Sequence, residues 1–105
     1  MRRNLTILGA LALLTLACHR APTKTAQQRA AMGPEVLARL EKRHITVKAE
    51  ITGPQSEHLR LFSPDIGDPT VETLAYRGIF ADFCAAGFVD VELADGQGWR
   101  KLWKC

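Results

Sequence analysis

A chain of 105 residues leaves room for one small domain at most, with a core that is marginal unless something staples it. Apolar residues at 47% are ordinary for a globular protein, although the first segment inflates the figure. The formal charge of +3 shrinks once Arg2 and Arg3 are set aside, because 12 basic residues then face 11 acidic ones. Without a clustered excess of Lys and Arg, a nucleic-acid partner is not expected.

Residues 1–18 read MRRNLTILGALALLTLAC. Two arginines lead, an uncharged apolar run follows from Leu5 to Leu16, and the small Ala17 precedes Cys18. Basic, then apolar, then small is the order of a cleaved secretory signal. The apolar run is also short of the about 20 residues that a permanent transmembrane helix needs. The segment Leu14-Thr15-Leu16-Ala17-Cys18 resembles the lipobox of bacterial lipoproteins, with Thr15 where that family most often has Leu. The resemblance implies a signal peptide over 1–17, diacylglycerol on the Cys18 thiol and an acyl chain such as palmitate on the new amino terminus. It also implies sorting to the outer membrane, facing the periplasm, since His19 rather than Asp follows the cysteine.

Cysteine parity agrees with this reading. The chain has three cysteines, Cys18, Cys84 and Cys105, and an odd number in an exported protein leaves one thiol over. With lipid on Cys18, the other two make one pair in an oxidising compartment.

Residues 18–32 form the lipidated cysteine and a tether. From His19 the sequence HRAPTKTAQQRAAM carries no large apolar side chain before Met32, so it gains little on ordering and is expected to stay flexible. The alternative is a helix from Ala26 onward, since Gln, Arg and Ala are good helix formers.

The folded domain is expected over 33–105. Gly33-Pro34-Glu35 starts a short helix running to about Arg43, with Val36, Leu37 and Leu40 as its apolar contacts. The period then switches to two. Ile45, Val47, Ala49 and Ile51 alternate with Thr46, Lys48, Glu50 and Thr52, the pattern of a half-buried strand. After a turn at Gly53-Pro54-Gln55-Ser56, a second strand over 58–63 brings Leu59 opposite Ile51 and Arg60 opposite Glu50.

Residues 63–68 read as a loop, with Asp68 capping the main helix and Pro69 in its first turn. That helix runs over 69–86 on a stripe of Val71, Ala75, Ile79 and Phe83, widened by Tyr76 and Phe80. Gly87 takes the left-handed cap position and lets Phe88 fold back on Phe83. A last hairpin follows. A two-residue Asp95-Gly96 turn sets Val89 opposite Leu102 and Asp90 opposite Lys101, whereas a longer loop through Gly98 moves that register. Either way Cys105 returns to the end of the main helix, beside Cys84. The expected fold is thus α+β, ordered α-β-β-α-β-β, with a four-stranded, mostly antiparallel sheet, the main helix on one face and a Cys84–Cys105 disulfide. The element order over about 60 residues loosely resembles the BON domain of bacterial envelope proteins, and Gly53 meets part of that family's glycine pattern. Such a likeness assigns no function.

No residue pattern points to a reaction. His19 lies in the tether, and His44 and His58 fall at opposite ends of the first hairpin, so no metal site is expected. Cys84 has no nearby histidine to activate it, and Ser56 and Ser63 have no nucleophile-elbow context. Asp65 and Asp68 lack the ligand series and distal Glu of a calcium loop. No catalytic residue and no cofactor are therefore expected. One surface feature remains, Trp99-Arg100-Lys101-Leu102-Trp103-Lys104, where Trp99, Lys101 and Trp103 share a strand face. This strip suits a glycan, a lipid head group or a protein partner. Alternatively, the tryptophans fill the space between sheet and helix. The functional expectation is a non-enzymatic envelope lipoprotein whose small domain binds an envelope protein or glycan. The alternative is a soluble periplasmic enzyme inhibitor or minor enzyme with unlipidated Cys18, presenting loop 53–57 or 63–68.

Overall fold

The computed structural model describes residues 21–105, so the signal over 1–17 and the lipid site at Cys18 lie outside the described residues. Eight elements follow in chain order: α1 (Ala26–Ala30), α2 (Gly33–Glu41), β1 (Lys48–Thr52), β2 (His58–Phe62), α3 (Asp68–Tyr76), α4 (Ile79–Ala86), β3 (Asp90–Ala94) and β4 (Arg100–Lys104). The strands lie side by side in sequence order in one four-stranded sheet. β1 and β2 are antiparallel, as are β3 and β4, but β2 and β3 run parallel. The sheet is therefore mixed. The helical segment between β2 and β3 carries the chain back to the end where β2 began, which forces a parallel neighbour.

The first hairpin has the expected register, with Ile51 opposite Leu59 and Glu50 opposite Arg60. Leu59 and Leu61 on β2, and Val91 and Leu93 on β3, are fully buried on one face. There they meet Val36 and Leu40 of α2, Leu74 of α3, and Ile79, Phe80 and Phe83 of α4. All the core-forming helices thus cover the same side of the sheet, which leaves the other side open.

The main helix departs from expectation. It is two helices, α3 and α4, separated at Gly78, which adopts a left-handed φ of +70°. With the axis broken there, the stripe read at helical spacing no longer points one way. Tyr76 is 85% exposed, whereas Leu74, outside the expected stripe, is fully buried. Nor does Asp68 cap α3. It is the first helical residue, and the Thr70 hydroxyl accepts from the N–H of Gly67 instead, at 3.2 Å. The far end of α4 is as expected: Gly87 (φ +109°) is the cap, and the Phe88 N–H donates to the Phe83 carbonyl at 3.3 Å.

The flexible tether expected over 18–32 is corrected for its described part. Thr25 and Gln28 form a reciprocal capping box, the Thr25 hydroxyl accepting from the Gln28 N–H at 3.1 Å and the Gln28 amide oxygen from the Thr25 N–H at 2.9 Å. Arg29 is buried, and Met32 joins the hydrophobic core. The segment lacks apolar bulk, but the guanidinium of Arg29 meets its ordering cost through hydrogen bonds to backbone carbonyls.

The last hairpin takes the longer loop. Asp95 organises it, its carboxylate accepting from the N–H groups of Gln97 (2.7 Å) and Trp99 (3.0 Å). The result pairs Val91 with Trp103 and Asp90 with Lys104, three positions away from the two-residue-turn register. An odd shift exchanges the faces of a strand. Cys105 still reaches Cys84, and the two are joined with Cα atoms 5.4 Å apart. No helix among the described residues is long and apolar enough to cross a membrane.

Candidate functional site

The open face of the sheet is a mosaic of charge built by the strand registers. One row across it reads Thr52, His58, Asp90, Lys104; the next reads Glu50, Arg60, Glu92, Leu102; the third reads Lys48, Phe62, Ala94, Arg100. In the first row, His58 Nδ1 lies 2.8 Å from an Asp90 carboxylate oxygen, and Nε2 lies 3.5 Å from Glu57. The Asp90 hydrogen bond and the charges of Asp90 and Glu57 raise the imidazole pKa above its ordinary 6.5, against a smaller opposing effect of desolvation. Since both ring nitrogens face carboxylates, His58 is placed as an ion-pair member and not as a base open to a substrate.

In the second row Glu92 stands between two arginines, 3.8 Å from Arg60 and 2.9 Å from Arg100. Arg60 is in register with Glu50 on β1 and with Glu92 on β3, and its ion pair is with Glu92. Leu102, half exposed, is the apolar member beside these pairs. Together these residues line a shallow groove of about 700 Å³ across the sheet. At the loop end of the face, Gly96 curls over the ring of Phe62. The arrangement offers alternating donors and acceptors on a rigid surface, the chemistry of a polar contact face.

The aromatic strip is placed differently. Trp99 and Trp103 are half-buried and pack against the core from the helix side. Trp103 stacks on Phe80, and the Trp99 indole N–H donates to Asp68 at 3.3 Å. Lys101 shares their side at the edge and is exposed, whereas Arg100, Leu102 and Lys104 belong to the open face. The odd register shift is what sends the tryptophans inward.

Loop 53–57 is held from within the domain, since Arg29 donates to the carbonyls of Gln55 (2.8 Å) and Ser56 (3.2 Å). Loop 63–68 is anchored by the buried Ile66. His44 precedes β1 and His58 opens β2, at opposite ends of the hairpin. Among the described residues no group of three or more His, Cys, Asp or Glu side chains is placed to hold a metal ion.

Two features were missed in the sequence. The Thr25-to-Gln28 spacing is a legible capping-box signature. The burial of Arg29 had no such signal, because three of its four carbonyl partners, those of Gln55, Ser56 and Ala86, lie far along the chain. Compared with known protein families, curated proteins and solved structures, the chain matches none of them.

Proposed function

We propose that this protein is a lipid-anchored lipoprotein of the bacterial envelope, held in the outer membrane by acyl chains on Cys18, with a small domain that binds and does not catalyse. The observation that carries the reading is the Cys84–Cys105 bond. It uses two of the three cysteines and leaves over the one that ends a lipobox-like segment. A disulfide of this kind also suits an oxidising compartment such as the periplasm.

The binding surface is the open sheet face, with Glu50, His58, Arg60, Glu92, Arg100 and Leu102 contacting an envelope protein or glycan. The outer face of the first hairpin supplies half of it. Trp99 and Trp103 act from beneath by holding β4 in place. The test is fractionation and intact mass of the protein purified from bacterial membranes. The expected protein begins at Cys18 with a covalent lipid mass, and Cys18→Ser moves a folded domain to the soluble fraction. Recovery of Cys18→Ser in the membrane fraction ends the anchor reading.

A further inference from the structure

The strap over 23–32 fixes how far the fold stands from its anchor, an inference that rests on the lipidated-Cys18 reading above. Thr23 belongs to the fold: its N–H and its hydroxyl both donate to the Ala85 carbonyl, at 2.8 and 3.1 Å. One guanidinium then draws the strap onto the sheet's first turn, since Arg29 donates to the carbonyls of Lys24 and of Gln55, each at 2.8 Å. Five residue steps separate Cys18 from Thr23. Fully extended, they span at most roughly 18 Å.

All of these attachments lie at one pole of the domain. The carbonyls of Ala85 and Ala86 end α4, Gln55 and Ser56 sit in the turn between β1 and β2, and β3 begins beside them. The Val89 N–H donates to the Glu57 carbonyl and its own carbonyl accepts from Cys105, so the end of β4 is at this pole too. Loops 63–67 and 95–99 lie at the other pole, beyond the length of the strands. Each strand has five residues and so is about 16 Å long.

We infer that the pole carrying Gln55, Val89 and Lys104 faces the bilayer, and that its partner is the phospholipid head-group layer. The strap leaves the fold at this pole, so a five-residue tether holds this end nearest the membrane. Turning the other end down would take almost the whole of the roughly 18 Å extended tether just to run along the about 16 Å strands. The exposed groups here fit an interfacial contact. Pro54 and Gln55 carry no charge, Val89 is half exposed, and the exposed Lys104, together with the half-buried Lys24, supplies positive charge for anionic phosphates. Of the side-chain carboxylates at this pole, Asp90 is paired with His58, while Glu57 accepts from the Gln55 N–H through one oxygen at 3.1 Å and keeps the other buried, 3.5 Å from the His58 ring. The strands then stand away from the membrane, and loops 63–67 and 95–99 point into the compartment.

The test uses the full lipidated protein in vesicles of phosphatidylethanolamine and phosphatidylglycerol bearing head-group nitroxides. Gln55→Cys and Asp65→Cys, both exposed positions, are labelled with a thiol-reactive fluorophore without reductant, so that the native disulfide stays closed. Intact mass establishes the lipid on the same samples. The Gln55 probe is expected to lose most of its emission to the nitroxides and the Asp65 probe to keep it. A flexible Gly-Ser spacer inserted between His19 and Arg20 is expected to restore the Gln55 signal. Equal quenching at both sites on a lipid-bearing protein, or quenching unchanged by the spacer, overturns this orientation and leaves the anchor reading standing. Membrane-derived protein without lipid mass overturns both.

Discussion

Trp103 lies flat on Phe80, with ring centroids 4.4 Å apart and planes 13° from parallel. Phe80 is 1% exposed, in the centre of the core, while Trp103 belongs to the edge strand opposite Val91. The stack fastens β4 to α4, and offset aromatic pairs contribute about 0.5–1.5 kcal/mol beyond the area they bury. Trp103→Ala is expected to destabilise the domain by about 3 kcal/mol, whereas Lys101→Ala stays within about 0.5 kcal/mol. Urea denaturation followed by far-UV circular dichroism reads both. Equal, small effects would return Trp103 to the set of free contact residues.

The Cys84–Cys105 bond closes a separation of 21 residues in sequence. In the loop-entropy picture a ring of that size restricts the unfolded chain by roughly 3 kcal/mol. Replacing both cysteines by serine is therefore expected to lower the melting temperature by roughly 15 °C for a domain this small. Differential scanning calorimetry of the oxidised protein beside the double variant is the measurement. An unchanged midpoint would mean that the bond adds nothing to the fold.

His58 provides a pH-dependent pair. Its pKa is raised above 6.5, first by the hydrogen bond that its ring N–H donates to the Asp90 carboxylate. A raised pKa means that the pair's stabilisation is complete below about pH 6.5, the unfolded value, and is lost as pH rises through the folded value. NMR titration of the imidazole is expected to give a midpoint above 6.5 in the native protein and one closer to 6.5 in Asp90→Asn. A native midpoint at or below 6.5 would rule the pair out in solution.

Arg29 is buried at 7% exposure, with backbone carbonyls as its hydrogen-bond partners. Two of its partners lie in the 53–57 turn and one ends α4, where the negative end of the helix dipole favours a cation. Arg29→Met leaves those acceptors without donors and is expected to cost about 3 kcal/mol. Arg29→Lys recovers only part of this, because an ammonium cannot fork between them. Hydrogen exchange over 23–32 gives the specific readout: amides there are expected to exchange faster than the β2 amides in Arg29→Met. Uniform exchange across the domain would show that the strap is held by something other than this side chain.

What local residue chemistry dictated was legible in the chain alone. The alternation from Ile45 to Thr52, with the turn after it, set the first hairpin and its register, because a half-buried strand tolerates one phase only. The left-handed preference of Gly87 ended α4, and the return of the last strand brought Cys105 to Cys84 whichever turn was chosen.

Other features depended on distant partners. Gly78 was compatible with an unbroken helix, and only the packing of Leu74 and Ile79 into one core shows why the axis must bend there. The register of the last hairpin turned on whether Asp95 folds over Gln97 and Trp99, and hence on which face the tryptophans occupy. The strap looked too polar to order, yet remote carbonyls from the 53–57 turn and from the end of α4 hold Arg29. Short-range preference is a property of the residue itself, so sequence determined those parts. Burial and hydrogen bonding between segments dozens of residues apart exist only once the chain has closed on itself, so the tertiary structure decided the rest.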